Sequence, residues 1–177
     1  MYRRLFARAT LLFFLTLVVS GSLGLTTNDK EERLLDFHHT HTGEELTVVY
    51  FTDGEYLPRA LEQVNEFLRD FRNGEVIPID PGLLDLLHQI KLETKTEAPF
   101  EVISAYRSPQ TNEMLRSIGR GVAKMSMHLQ GKAIDIRLRD VELAELRTVA
   151  LELARGGVGY YPKPNFVHVD TGRVRRW

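Results

Sequence analysis

The sequence predicts an α+β fold, with an antiparallel sheet that holds a polar site on one face and helices that cover the other. Three observations lead to it. Several short segments alternate apolar and polar residues, the period of a half-buried strand. Others repeat apolar residues at spacings of three and four, the period of an amphipathic helix. Along the chain helices come first and then strands interrupted by helices, with no internal repeat and no low-complexity tract.

The elements follow in order. Leu46-Thr47-Val48-Val49-Tyr50-Phe51 is rich in β-formers and is expected to form a hairpin with 34–41, with a turn at Asp53-Gly54. Pro58 opens a helix in which Leu61, Val64, Phe67, Leu68 and Phe71 share a face, and Asn73-Gly74 ends it. Asp80 is placed to cap a second helix with Pro81 at its first position, followed by Leu83, Leu84, Leu86, Leu87 and Ile90. The run 100–106 reads as a strand, and Ser108-Pro109 starts a helix carrying Met114, Leu115 and Ile118. Residues 132–138 alternate as a strand. An amphipathic helix over 141–155 closes at Gly156-Gly157. Segments 158–160 and 166–170 form a last hairpin across Pro162-Lys163-Pro164-Asn165.

The length suits one domain. Charged and apolar contents are ordinary for a globular chain, which argues against disorder. The net charge is −1, and removing Arg3, Arg4 and Arg8 with the acid-free first 24 residues takes −1 to −4, so nothing favours nucleic-acid binding. With no cysteine, disulfides and thiol catalysis are excluded. Residues 1–24 read as an export signal. Three arginines precede the apolar core Leu11-Leu12-Phe13-Phe14-Leu15-Thr16-Leu17-Val18-Val19, and small residues at Ser20-Gly21-Ser22 suit cleavage. That run is short for a bilayer span of about 20 residues, so membrane attachment is expected only if the segment stays uncleaved. Arg3-Arg4-Leu5-Phe6 leaves both the general secretory and the twin-arginine routes open. A linker is expected over 25–35 and the folded domain over 36–177.

The chemistry concentrates at Ser126-Met127-His128-Leu129-Gln130-Gly131-Lys132-Ala133-Ile134-Asp135 and at Phe166-Val167-His168-Val169-Asp170. His128, Asp135 and His168 supply the three protein ligands of a catalytic zinc site, which leaves one position for water. A structural zinc site usually takes four ligands, mostly thiolates, and this chain has none. The seven-residue gap from His128 to Asp135 excludes the helical i, i+4 pair, while Gly131 permits a sharp turn or a close backbone approach after the histidine. Alternation puts Ala133 and Asp135 on one face of a strand, and His168 and Asp170 on one face of another. Asp170 is thus placed either to orient His168 or to act as the general base.

These residues resemble those of the zinc D,D-peptidase superfamily, through the pattern S-x-H-x-x-G-x-A-x-D followed by a late histidine. Tyr106-Arg107-Ser108-Pro109, Thr111-Asn112, Gly121-Val122-Ala123-Lys124, Gly156-Gly157-Val158-Gly159-Tyr160-Tyr161-Pro162 and the Arg-Trp ending are similar to the MepK-like murein endopeptidases, over roughly 36–177. The resemblance implies a Hedgehog/D,D-peptidase-like fold, Zn²⁺ at His128, Asp135 and His168, and cleavage of peptide cross-links between peptidoglycan stem peptides in the periplasm. It implies that Arg107 binds the substrate carbonyl or the developing oxyanion. Tyr106 is expected to contact substrate, and Ser126 either hydrogen-bonds substrate or closes a turn. Two positions depart from the superfamily. An acid three residues before the last histidine is Asn165 here, and a histidine two before it is Phe166. A zinc-containing wall-binding domain without catalysis is the competing reading. His38-His39-Thr40-His41 reads as structural, or as an adventitious metal patch, and His88 as a helix-surface residue. Tyr160 and Tyr161 either line a cleft or pack the core.

Overall fold

The computed structural model describes residues 31–119 and 122–177. The export segment and most of the expected linker lie outside these residues. The elements are β1 (Glu32–His39), β2 (Glu45–Thr52), β3 (Glu55–Tyr56), α1 (Pro58–Phe67), α2 (Pro81–Thr94), β4 (Phe100–Ser104), α3 (Pro109–Ser117), a 3₁₀ turn (Met127–Gln130), β5 (Ala133–Arg137), α4 (Leu143–Leu153), β6 (Gly157–Tyr161), β7 (Phe166–Asp170) and β8 (Arg175–Arg176). The strands form one sheet in the order β3-β2-β1-β4-β5-β7-β6-β8. The run β4-β5-β7-β6 is antiparallel throughout, while β1 pairs with β4, and β6 with β8, in parallel. The α+β class is as the sequence predicts. Among the described residues, no helix is long and apolar enough to cross a membrane.

Alternation along the strands divides the two faces of the sheet. Leu35 and Phe37 of β1, Val48 and Tyr50 of β2, Phe100 and Val102 of β4, Ile134 and Ile136 of β5, and Val167 and Val169 of β7 point into one core. Against them pack Ala60, Val64 and Phe67 of α1, Leu83, Leu84, Leu87 and Ile90 of α2, and Leu146 and Ala150 of α4. The same alternation sends Asp135, His168 and Asp170 to the other face. Each leucine or isoleucine buried in this way contributes about 1.5–3 kcal/mol, which makes the helix-covered face the rigid back plate of the polar one.

Local chemistry accounts for the element ends. Asp80 caps α2 as expected, its carboxylate accepting from Gly82 N–H at 3.0 Å. Ser108 caps α3 by accepting from Thr111 N–H at 3.1 Å. Two boundaries differ from expectation. β1 starts at Glu32, inside the segment expected as linker, because Leu35 enters the core and Arg33 reaches Asp85 at 2.7 Å. α1 stops at Phe67 rather than near Asn73. The fully buried Asp70 turns the chain back, its N–H donating to Glu75 O at 2.9 Å and its carboxylate accepting from Ser108 N–H at 2.9 Å. That bond ties the end of the first helix to the start of α3.

Candidate metal centre

β5 and β7 are direct neighbours, and their register sets Asp135 opposite His168. His128 arrives from the 3₁₀ turn, whose N-cap Ser126 accepts from His128 N–H at 3.3 Å. Gly131 ends that turn at φ 65°, and a Cβ there would lie 2.6 Å from Pro78 O. The close approach expected of this glycine therefore exists, and a bond from Asp80 N–H to Gly131 O at 2.9 Å fastens it. The result is a buried triad. His128 Nε2 lies 3.1 Å from His168 Nδ1 and 3.3 Å from Asp135 Oδ1, and His168 Nδ1 lies 2.9 Å from the same oxygen. One ligand atom from each residue falls within 4.8 Å of the others, and no second such group of histidines and acids occurs among the described residues.

The outer nitrogens show which atoms face inward. His128 Nδ1–H donates to Ala105 O at 2.6 Å. His168 Nε2–H donates to Asp170 Oδ2 at 3.0 Å. With those protons committed outward, the neutral form of each imidazole turns its lone pair inward, toward the other ring and a carboxylate. Three electron-rich atoms packed this closely and away from water call for a cation between them. Two imidazole nitrogens and one carboxylate oxygen are a donor set that suits zinc. The residues present therefore fit the expected metal.

Charge at the site follows from its surroundings. Burial works against the Asp135 carboxylate, but His128 and His168 outweigh it and hold the group well below the usual range. For His128 burial wins and lowers its proton affinity, the state a ligand needs. Burial opposes the charge on His168 as well, yet Asp135 and Asp170 together raise its proton affinity. Asp170 is fully buried and acidic despite that burial, because His168, Arg175 and the N–H groups of Gly157 and Gly172 bind its oxygens. Arg175 grips it with a fork at 3.0 and 2.6 Å, and the two backbone donors lie at 2.9 and 2.8 Å.

Of the two roles left open for Asp170, this placement favours orienting His168, since it stands behind that ring with both oxygens accepting from donors. Tyr106 does not line the hollow over the triad. Its ring is buried in the core and its hydroxyl donates to Glu75 at 2.6 Å, away from the hollow over the triad. Arg107 does line that hollow, which holds about 240 Å³. It is 7 % exposed, with Nη2 4.0 Å from Asp135 Oδ2, Nη1 donating to Asn112 at 3.4 Å and Nε without a partner. Burial lowers its proton affinity, with Asp135 opposing. Ser126 also lines the hollow. A larger groove of about 690 Å³ lies between Leu46 and Arg59, lined by surface acids and arginines, and the triad lies elsewhere.

Asn165 sits at φ 58° in the β6–β7 turn and lines a different hollow beside Glu101 and Arg137. Asparagine tolerates that left-handed turn position. The His38 to His41 tract packs against aromatic rings. His39 is buried beside Phe67 and Phe71, and His41 stacks on Phe71 at 4.6 Å. Arg175 borders the site without having been singled out from the sequence. Trp177, noted before only within the Arg-Trp ending, borders it too, and Tyr161 takes the cleft position of the two left open for it. A signal was present in Gly157-Val158-Gly159. Its two glycines fall on the site face of β6, where a Cβ would collide with Arg175 at 2.3 Å or with Trp177 at 2.7 Å.

Comparison with known proteins shows the family of the chain. The family model described as peptidoglycan L,D-endopeptidase MepK matches residues 27–177. The chain belongs to this family. It is 41% identical over 152 residues to the peptidoglycan L,D-endopeptidase MepK of Escherichia coli (strain K12), covering 86% of this chain and 84% of that protein. With the probable peptidoglycan L,D-endopeptidase MepK of Haemophilus influenzae it shares 39% identity over 161 residues, 90% of this chain and 87% of that one. A solved structure, the Serratia marcescens L-Ala D-Glu endopeptidase ChiX, overlaps with a TM-score of 0.37 at 19% identity, over 54% of this chain and 69% of the other. So slight an overlap carries no argument. The MepK family is one of cell-wall peptidases, and the chain is a member of it.

Proposed function

We propose that this chain is a zinc-dependent endopeptidase that hydrolyses peptide cross-links of peptidoglycan, acting after export on the periplasmic side. The observation that carries the reading is the buried convergence of His128 Nε2, Asp135 Oδ1 and His168 Nδ1, with the outer protons of both imidazoles committed to Ala105 and Asp170. Family membership supplies the substrate class. When bound by these three residues, zinc supplies a Lewis acid for the scissile carbonyl and lowers the pKa of water toward neutrality.

The chain's own residues supply the remainder. Arg107 lines the hollow with its guanidinium held by one long bond to Asn112 at 3.4 Å and a 4.0 Å approach to Asp135, which leaves N–H donors for a substrate oxygen. Fixed positive charge in a dry site is most useful where negative charge develops on the carbonyl oxygen. Asp170 holds the ring of His168 in one orientation and one tautomer, and Arg175 holds Asp170. Ser126 fixes the turn that carries His128, and it borders the space for the peptide.

The test is incubation of the zinc-loaded mature protein with defined muropeptide dimers. New monomers are expected, at a rate lost in His128→Ala, Asp135→Ala and His168→Ala together with the bound zinc. Arg107→Ala should keep its zinc and lose roughly a hundredfold in turnover, as removal of an oxyanion donor does. Dimer binding without any new monomer would instead favour a non-catalytic wall-binding domain.

A further inference from the structure

We infer that Trp177, with Tyr161 and Phe166, forms an aromatic subsite that grips the aliphatic arm of the diamino-acid residue at the cross-link. This inference rests on the cross-link endopeptidase reading above. The three rings are continuous. Tyr161 stacks on Phe166 with centroids 4.6 Å apart, its hydroxyl accepts from Trp177 Nε1 at 2.6 Å, and the indole lies 5.1 Å from the ring of His168. All three line the hollow over the triad.

Much of the surrounding structure is given to this one indole. Trp177 N–H donates to Val158 O at 3.2 Å and its carbonyl accepts from Tyr160 N–H at 3.1 Å, which fastens it beside β6. Gly159 leaves the space it occupies, since a Cβ there would lie 2.7 Å from the indole. The Arg175 guanidinium stands 4.9 Å from the ring. Despite these ties Trp177 remains 50 % exposed. A large aromatic side chain anchored on all its polar atoms and left half open beside a metal triad offers apolar area at little ordering cost.

Sheet order decides which part of the substrate meets it. Arg107 follows β4 on one side of the β5–β7 pair, and Trp177 follows β8 on the other, beyond β6. A scissile carbonyl turned toward Arg107 directs the opposite side of the peptide over β6 and β8. A peptide cross-link is made through a side-chain amine, so a residue at the cut carries a run of methylenes. Those methylenes match an aromatic wall, whereas a substrate carboxylate matches Arg107.

The experiment follows KM and kcat separately for Trp177→Ala and Trp177→Phe on cross-linked dimers, with zinc content measured for each. The Ala variant should raise KM about tenfold, the value of roughly two buried methylenes, while kcat and zinc hold. Phe should restore most of the loss. In parallel, emission of the wild-type protein is titrated with dimer, since Trp177 is the chain's sole tryptophan. A saturable blue shift is expected as the open half of the ring is covered. Wild-type KM in the Ala variant, or a fall in zinc or kcat alone, overturns the subsite and leaves Trp177 as packing. Unchanged emission at saturating dimer overturns it too, and that reading stands even if the Ala variant fails to fold. Should wild-type protein cleave no dimer, the peptidase reading fails, while the emission titration still judges the shelf.

Discussion

Asp170 shows how one side chain sets the chemistry of another. Its oxygens accept from Gly157, Gly172 and Arg175, and what remains is spent on the outer nitrogen of His168. Only with that proton held outward does Nδ1 of His168 face Asp135 as a lone pair. A carboxylate in such a place acts on metal affinity more than on proton transfer. Asp170→Asn is therefore expected to weaken zinc binding by roughly 10–100-fold, with turnover recovered at high zinc. Competition with a zinc indicator, run beside the assay, checks it. A loss of turnover that excess zinc leaves untouched would return Asp170 to the role of base. The sequence showed that His168 and Asp170 share a strand face. That the carboxylate was already filled by Arg175 and two backbone donors was not visible, because those bonds come from β6 and from the segment after β7.

At the scale of elements, the site depends on how a turn is pinned against a loop. The 3₁₀ turn holding His128 returns into β5 through Gly131, whose φ of 65° suits glycine and whose missing Cβ admits Pro78 O. The backbone oxygen cannot withdraw, because Asp80 N–H is bonded to Gly131 O and Asp80 also caps α2. Gly131→Ala should lower folding stability by roughly 2–4 kcal/mol, combining an overpacked contact with a strained left-handed residue. Urea denaturation should show a lower midpoint at unchanged slope. An unaltered midpoint would mean that the approach is loose. The glycine's role was legible from its place after the histidine, but its partner at Pro78 was not, since that contact joins residues 53 apart. The shorter α1 has a similar cause, for Asp70 belongs to the start of α3 as much as to its own segment.

For the molecule as a whole, the polar face of the sheet is only as well placed as the core behind it, and that core contains a titratable group. His39 is 1 % exposed, and burial, helped by neighbouring His41, lowers its pKa from 6.5 to about 4. The unfolded imidazole takes up its proton near 6.5, whereas the folded one resists until about 4. Between those values the unfolded state binds more protons, so stability rises with pH across this window and falls as acid is added. Thermal unfolding from pH 7 to pH 4 should show a decline that His39→Gln flattens. Equal slopes for wild type and variant would place the acid sensitivity in other groups.

The sequence by itself determined the α+β class, the four helices and most of the strands, the alternation that turns Asp135 and His168 away from the core, and the three residues of the triad, whereas the expectation that helices come first fails, since β1 to β3 precede α1. Periodicity and capping are local, so they can be read along a single chain. The family pattern added its expectation for Arg107, which does border the hollow. Tertiary structure alone decided that Tyr106 faces Glu75 rather than the site, that Asp170 stands behind His168, and that Arg175 and Trp177 border the hollow across from Arg107. Each of these follows from pairing between strands distant in sequence, above all β5 with β7 and β6 with both β7 and β8. Register between strands depends on the summed fit of a whole face, and a run of residues taken alone does not contain it.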